Sequence, residues 1–394
     1  MDGLAEHPAF PSDWPLVRVK EVASIATGSR NTQDRKADGK YPFFVRSQTV
    51  ERIDSYSFVG EAVLTAGDGV GTGKVFHYIN GPFDCHQRVY RISEFAPCYD
   101  GRFFYYYFSH HFYDRIMSMT AKSSVDSVRM EMIADMEIPC PSRSEQEAIA
   151  SALDDVEALA LGLEAVIAKK RGVEIAAAEQ LLSGRLRLNG STARWRRVRL
   201  GDVGSTFGGL TGKSGADFGR GSGRYVTFLN VIRNVIVDPA ELSPVVIRDA
   251  EVQAVVRPGD LLLNGSSETP EEVGMASAVG ETLVGAYLNS FCFGFRIRAD
   301  AQLDPVFVAY LLRSGCGRAL IYSLAQGATR YNLSKAAFLD LVLTVPPMLE
   351  QKAIASVLID LDAELSLLEV RLAKTRDLKL AMAQELLSGR TRLA

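Results

Sequence analysis

Two long stretches of the chain place apolar residues at alternating steps of four and three positions. Steps of four and three are typical of the a and d positions of a coiled coil, where an apolar seam on one helix packs against another helix. The pattern therefore predicts two amphipathic helices that share an interface. The seam residues are Ile149, Leu153, Val156, Ala160, Leu163 and Ile167 in the first stretch and Ile354, Leu358, Leu361, Leu365, Leu368 and Leu372 in the second.

The two stretches are copies of one another, because their two ends repeat at the same distance. Glu145 and Glu350 are 205 positions apart, and so are Ser183 and Ser388. A segment of about forty residues is thus repeated without insertion, as a helix with a fixed contact face requires. The matching sequences are PSRSEQEAIASAL (141–153) with PMLEQKAIASVL (347–358), and LLSGRLRL (181–188) with LLSGRTRL (386–393).

Residues typical of helix ends lie at the ends of both copies. Ser144 and Glu147 predict a capping box at the start of the first helix. Gly184 and Gly389 suit the helix C-termini, where a left-handed residue is common. At about 1.5 Å rise per residue, forty residues make each helix about 60 Å long.

The segments before the two helices are also related. Trp14 and Trp195 open them 181 positions apart, so the second copy has gained 24 residues relative to the first. Both segments place β-rich runs before helix-like runs, which predicts two α+β domains. We pair GKYPFFVRSQ (39–48) with GRYVTFLNVI (223–232), and LTAGDGVGTGKV (64–75) with VRPGDLLLNGSS (256–267) through the Gly67-Asp68 and Gly259-Asp260 dipeptides.

Short connections between these segments predict the overall organisation. The second domain follows the end of the first helix and precedes the start of the second helix, so those two ends must be close and the helices antiparallel. We expect an α+β protein of two tandem domains, joined by an antiparallel coiled coil with an internal pseudo-two-fold repeat. The predicted boundaries are a tail at 1–13, a first domain at 14–143, a first helix at 144–184, a linker at 185–194, a second domain at 195–346, and a second helix with a C-terminal tail at 347–394.

Charge is distributed unevenly along the chain. The 394 residues carry a net charge of −3 and are 47% hydrophobic. The two helical segments at 144–183 and 349–388 carry −5 and −2, which leaves the remainder at +4. An anionic partner would therefore meet the globular domains rather than the helices.

Several classes of protein are disfavoured. The five cysteines form no C-x-x-C pair and the five histidines show no ligand spacing, so we expect reduced thiols and no metal. No signal peptide or membrane span is evident, and we expect a cytoplasmic protein. Gly212-Lys213-Ser214 lacks the leading glycine of a phosphate loop, because position 207 is Phe207. Pro346-Pro347 lacks the preceding Asp or Asn of an amino-methyltransferase motif.

The order and duplication of these elements resemble the specificity subunit of type I restriction–modification systems. The resemblance covers residues 14–393 and is carried by the P-x-x-x-E-Q-x-A-I-A-S-x-L motif, its shorter copy, and the two Leu-Leu-Ser-Gly segments. It implies a non-catalytic subunit whose two domains are target recognition domains for a bipartite, asymmetric DNA sequence. It also implies that the helices dock two methyltransferase subunits, which use S-adenosylmethionine, and that restriction subunits join the complex.

The resemblance makes the polar residues of the domains candidates for contacts with double-stranded DNA. Arginine and asparagine match the base edges of guanine and adenine, so Arg46, Gln48, Asn230 and Arg233 are candidate base readers. The full set of candidates is Arg46, Gln48, Lys74, Arg88, Ser124 and Arg129 in the first domain, and Lys213, Arg220, Asn230, Arg233, Arg330, Tyr331 and Lys335 in the second. A self-contained DNA methyltransferase or nuclease, and a coiled-coil protein scaffold, remain the alternative functions.

Overall fold

The computed structural model describes residues 10–119, 127–280, 283–327 and 330–393, without the side chain of Asn189. Backbone contacts divide the chain into two compact units. The first unit comprises Met1–Ala165 and Val370–Ala394, and the second comprises Val166–Glu369. Each unit therefore contains one globular domain and a part of both long helices.

The two long helices span Arg143–Leu182 and Met348–Leu386, with 40 and 39 residues. In the first unit, residues of increasing number on one helix pair with residues of decreasing number on the other, so the helices are antiparallel there, and further ion pairs join the same two helices in the second unit. The ion pairs are Glu157–Lys379 and Glu164–Arg376 in the first unit, and Lys170–Glu364 and Arg171–Glu369 in the second.

The C-termini of the long helices are as predicted from the sequence, whereas the N-terminus of the first long helix differs from the prediction. Gly184 and Gly389 have φ of 73° and 71°, as a left-handed C-terminal residue requires. The predicted capping box of Ser144 with Glu147 is wrong. The helix begins at Arg143, and the hydroxyl of Ser142 accepts from the N–H of Glu145 at 3.3 Å.

The predicted seam is the buried face of the helices. Ile149, Leu153, Ile354 and Leu358 are at most 1% exposed, because they also pack against the globular domain of their own unit. Seam residues nearer the middle of the helices are buried or half-buried: Val156, Leu163, Ile167, Leu361, Leu365, Leu368 and Leu372.

The first domain is built on a six-stranded sheet. Strand Phe58–Ala66 is central and pairs antiparallel with Val89–Ser93 and with Phe76–Cys85. Helix Gly101–Ser118 lies against it and buries Phe104, Phe108 and Phe112. In spatial order the sheet is Ser24–Thr27, Val89–Ser93, Phe58–Ala66, Phe76–Cys85, Tyr41–Phe44 and Glu51–Ile53. The other elements are strands Leu16–Arg18 and Glu137–Pro139, helices Val19–Val22 and Met130–Ala134, and the 3-10 turn Thr32–Asp34.

The second domain repeats this plan with its sheets divided. A four-stranded sheet has the order Gly204–Gly208, Cys292–Ile297, Asp260–Asn264 and Ala276–Ala278, and a three-stranded sheet has the order Leu242–Val245, Phe218–Val226 and Ala286–Leu288. The other strands are Arg196–Arg199 paired with Val342–Val345, and Ser266–Ser267 paired with Tyr331–Asn332. The helices are Leu200–Val203, Phe228–Arg233, Pro305–Arg313, Gly315–Leu324 and Lys335–Asp340, and the 3-10 turns are Leu188–Gly190, Gly215–Asp217 and Pro239–Glu241.

Strand register corrects both expected pairings between the domains. Phe44 pairs with Cys85 as Val226 pairs with Leu288, so the match of 39–48 with 223–232 moves by two residues. Gly67 donates its N–H to the carbonyl of Arg88 and accepts from the N–H of Val128. Gly265 makes the same two bonds, to the carbonyl of Phe291 and from the N–H of Leu333. Gly67 therefore corresponds to Gly265 and not to Gly259, because Gly67-Asp68 follows its strand whereas Gly259-Asp260 lies at the start of one.

The repeated Glu-Gln dipeptide fastens each long helix to its own unit. Glu145 accepts two hydrogen bonds from Arg392, at 2.5 and 2.8 Å. Gln146 is fully buried, accepts from the N–H of Asp100 at 2.7 Å, and donates to the carbonyls of Cys98 and Pro141. The second copy forms equivalent bonds: Arg187 donates to Glu350, and Gln351 accepts from the N–H of Asp304 and donates to the carbonyls of Gln302 and Pro346.

Candidate nucleic-acid interface

Two arginines of the first domain converge on one carboxylate. Arg46 follows strand Tyr41–Phe44 and donates from Nη1 to Oδ1 of Asp68 at 2.7 Å. Arg88 precedes strand Val89–Ser93 and donates from Nη1 to Oδ2 of the same carboxylate. The two arginine side chains are 41% and 62% exposed, whereas that of Asp68 is only 16% exposed. The guanidinium groups therefore face solvent around a shielded acceptor.

Backbone bonds hold Asp68 in this position. Gly67 is bonded on both sides, to the carbonyl of Arg88 at 2.8 Å and from the N–H of Val128 at 2.7 Å. The next residue, Gly69, has φ of 82°, a left-handed conformation that turns the chain back beside Arg46. Partial burial by itself would raise the pKa of Asp68, but hydrogen bonds from the two arginines and their positive charges hold that pKa below its usual value. Asp68 is therefore ionised.

A pair of amide side chains lies next to the arginines. Gln87 donates from Nε2 to Oδ1 of Asn31 at 2.8 Å, and both residues are exposed. The backbone N–H of Gln87 is bonded to the carbonyl of Arg30 at 2.9 Å, which fixes the residue next to Arg88. Asn31 and Gln87 were missed by the sequence analysis, because 56 residues separate them and only strand pairing brings them together.

The other candidates of the first domain are exposed and less constrained. Gln48 donates to the carbonyl of Phe76 at 3.5 Å, and the ammonium of Lys74 lies 5.3 Å from the ring centroid of Tyr113. Arg129 is exposed at the start of helix Met130–Ala134. Ser124 lies outside the described residues.

The corresponding surface of the second domain carries different side chains. Arg88, Asp68 and Arg46 of the first domain correspond to Phe291, Ser266 and Phe228, as the register at Gly265 and at Val226 shows. Phe291 is 58% exposed, and the guanidinium carbon of Arg330 lies 5.7 Å from its ring centroid. The predicted candidates Arg330, Tyr331 and Lys335 lie on this surface, with Tyr331 paired to Ser267 and Lys335 near Gly208.

Two predicted DNA contacts in the second domain are wrong. Asn230 is 0% exposed and lies in helix Phe228–Arg233. Its side-chain amide donates to the backbone carbonyl of Asp238 and accepts from the backbone N–H of the same residue. The side chain of Lys213 is 1% exposed and donates to the carbonyl of Val246 and to the carboxylate of Glu251. Both side chains satisfy buried groups of the domain and are not available to DNA.

Arg220 and Arg233 are exposed but take part in other local contacts. Arg220 donates to the carbonyl of Ala216 at 2.7 Å. Arg233 lines a cleft of about 650 Å³ beside the long helices of the second unit, together with Arg171, Tyr310 and Asp362. The structure thus places Arg233 beside the helices and not with Arg330 and Phe291.

The described residues show neither a metal-binding cluster nor a membrane-spanning helix. They contain no cluster of three or more His, Cys, Asp or Glu side chains arranged to hold a metal ion. Among the same residues, no helix is both long and apolar enough to cross a membrane. The five cysteines are free thiols, and burial raises the pKa of Cys85 and Cys292 to about 12.

Exposed arginines and amides are side chains that can pair with the base edges of DNA. Residues 11–170 match the family model described as the type I restriction modification DNA specificity domain. The matched part of the chain includes the first globular domain and much of the first long helix. The type I restriction enzyme EcoDI specificity subunit of Escherichia coli is 32% identical over 145 residues. The match covers 37% of this chain and 31% of that relative, about a third of its length.

Solved structures resemble the whole chain. The S subunit of a type I restriction–modification system from M. genitalium has a TM-score of 0.65 at 16% identity, with 97% of this chain and 98% of that chain covered. A chain from a structure on complex assembly and conformational transition of the type I R-M system has a TM-score of 0.53 at 15% identity, with 96% and 98% covered. At such identities the likeness concerns the fold, and the predicted fold class is confirmed.

Proposed function

We propose that the chain is the non-catalytic DNA-specificity subunit of a type I restriction–modification complex. Each globular domain reads one half of a bipartite, asymmetric sequence. One observation carries the proposal: the two domains share a backbone register but present different side chains at equivalent positions. Arg46, Asp68 and Arg88 of the first domain correspond in register to Phe228, Ser266 and Phe291 of the second. A common scaffold with different surface chemistry is expected of two readers of different sequences.

The surface chemistry suits contacts with base edges. Arginine donates two hydrogen bonds to O6 and N7 of guanine, and glutamine or asparagine does the same with adenine. Arg46, Arg88 and the Asn31–Gln87 pair provide such groups in the first domain. In the second domain, exposed Phe291 offers an apolar contact for a thymine methyl group, and Arg330 and Lys335 supply positive charge.

The long helices provide surfaces for the other subunits. Beside the buried seam they expose apolar side chains that the chain itself does not cover. These are Leu159, Leu161, Val370, Leu378 and Leu380 in the first unit, and Val166, Val173, Ile175 and Leu367 in the second. Exposed apolar surface of this kind is typical of protein–protein interfaces. We assign it to two methyltransferase subunits, which would bind S-adenosylmethionine, with restriction subunits joining them.

A domain replacement tests the proposal. Residues 195–345 are exchanged for the equivalent domain of another specificity subunit, and the chain is produced with its methyltransferase partner. Sequencing of methylated bases in host DNA should show one half of the target changed and the other half retained. A change in both halves, or in neither, would overturn the assignment of one reader to each domain.

The same preparation separates the proposal from an enzymatic function. The purified chain alone, supplied with S-adenosylmethionine and host DNA, should transfer no methyl groups, and addition of the partner should restore transfer. Methyl transfer or DNA cleavage by the chain alone would identify it as an enzyme. If the chain copurified with partners but bound no DNA with them, it would be a scaffold.

A further inference from the structure

We propose that Asp68 is a positioning residue that sets the sequence specificity of the first domain, by holding Arg46 and Arg88 as a fixed pair of guanine readers. This inference rests on the proposed function. It concerns the role of a carboxylate in a surface that would otherwise be expected to be purely basic.

The geometry leaves both guanidinium groups free to bind a base. Each arginine uses Nη1 for Asp68, and within the described residues neither guanidinium forms another hydrogen bond. The Nε and Nη2 donors therefore remain available, and a guanidinium can present two donors to a guanine edge. Because one carboxylate holds both groups, the arginines are also fixed relative to one another.

A carboxylate in this position is unfavourable for affinity alone. DNA is polyanionic, and a negative charge at the interface repels it. Asp68 is ionised, and its backbone is fixed by bonds at Gly67. An arginine without such a partner can rotate and bind any phosphate, whereas a preorganised arginine loses less entropy when it binds the correct base. Asp68 therefore lowers the affinity for DNA of any sequence and increases the preference for the correct base.

Removal of the carboxylate is expected to change affinity and specificity in opposite directions. In Asp68→Asn the arginines are released and one negative charge is lost. Binding to unrelated DNA should become several-fold tighter, with a steeper dependence on salt concentration. Preference for guanine at the positions read by the first domain should fall about tenfold or more, since a good arginine–guanine contact gives discrimination of that order.

The experiment uses the full chain in complex with its methyltransferase partner and a library of random double-stranded DNA. Bound DNA is sequenced to obtain the base preference at each position, and affinity for an unselected sequence is measured at two salt concentrations. Asp68→Glu retains the charge and should retain part of the guanine preference. Asp54→Asn is the matched control: it also removes a paired carboxylate from the first domain, where Asp54 binds Lys36 at 2.7 Å, and should leave every base preference unchanged.

The outcomes are distinguishable. If the wild-type complex selects no bipartite sequence, the proposed function itself fails. If the wild type selects one and Asp68→Asn retains the same guanine preference, the role of Asp68 is refuted. Equal loss of specific and unspecific binding, together with a lowered melting temperature, would mean that Asp68 is only structural, and would also refute the proposal.

Discussion

Glu174 and Asp362 lie close together across the two long helices of the second unit, where both line the cleft of about 650 Å³. The repeat of 205 residues relates these positions to Lys379 and Glu157, which form an ion pair in the first unit. The neighbouring tyrosines differ as well: Tyr310 donates its hydroxyl to Asp362, whereas the equivalent Tyr106 donates to Asp154 and its ring centroid lies 5.6 Å from the ammonium of Lys379. The second unit thus has two acids where the first has an acid and a base.

This acid pair should make stability depend on pH. Burial, the hydrogen bond to Asp362 and its negative charge raise the pKa of Glu174 to about 7, from 4.5 in the unfolded chain. Between these values the folded state holds a proton that the unfolded state has lost, so this contribution decreases as pH rises and is constant above about 7. In urea unfolding, Glu174→Gln should gain stability over the wild type as pH rises from 4.5 to 7. If the difference in free energy of unfolding between Glu174→Gln and the wild type were the same at pH 5 and at pH 8, this prediction would be contradicted.

A charge exchange at the same position should stabilise the second unit. Glu174→Lys would reproduce the Glu157–Lys379 ion pair and remove the repulsion between the two acids. We expect a gain of about 1 kcal/mol in the free energy of unfolding at neutral pH. The reverse change in the first unit, Lys379→Glu, is the matched control and should cost a similar amount. The idea fails if both substitutions shift stability in the same direction.

Gln146 should be more important for stability than its polar character suggests. Its side chain satisfies the buried N–H of Asp100 and two carbonyls, so Gln146→Ala should cost about 2 kcal/mol in thermal unfolding. Gln180→Ala, at an exposed position of the same helix, should change stability by less than about 0.5 kcal/mol. Similar effects of the two substitutions would show that the hydrogen bonds at the start of the helix contribute little.

Two leucines that are two positions apart distinguish the seam of the second long helix from its exposed face. Leu365 is 7% exposed and Leu367 is 71% exposed. Leu365→Asp buries an unpaired charge, so it should cost about 3 kcal/mol or more and prevent assembly with the partner. Leu367→Asp should keep the melting temperature within a few degrees. If Leu365→Asp still copurifies with its partner at normal stoichiometry and melting temperature, the seam assignment is wrong.

Local pattern accounts for what could be predicted from the sequence alone. The steps of four and three residues and the repeat of 205 identify two long helices of nearly equal length, because helical periodicity depends only on neighbouring residues. The α+β class follows in the same way from the order of β-rich and helix-like runs. Trp14 and Leu393 lie in one apolar cluster, as expected when the second long helix returns to the first domain.

Strand pairing determined which positions of the two domains are equivalent and which polar residues are exposed, and neither could be predicted from the sequence. Gly259-Asp260 resembles Gly67-Asp68 in sequence, yet the register relates Gly67 to Gly265, because hydrogen bonds to distant strands define equivalent positions and short motifs do not. Asn230 and Asn31 are the same type of residue, but one is buried against Asp238 and the other is exposed beside Gln87. The sequence determined the framework of this protein. Contacts between residues far apart in the chain determined which polar side chains remain exposed at the surface of each domain.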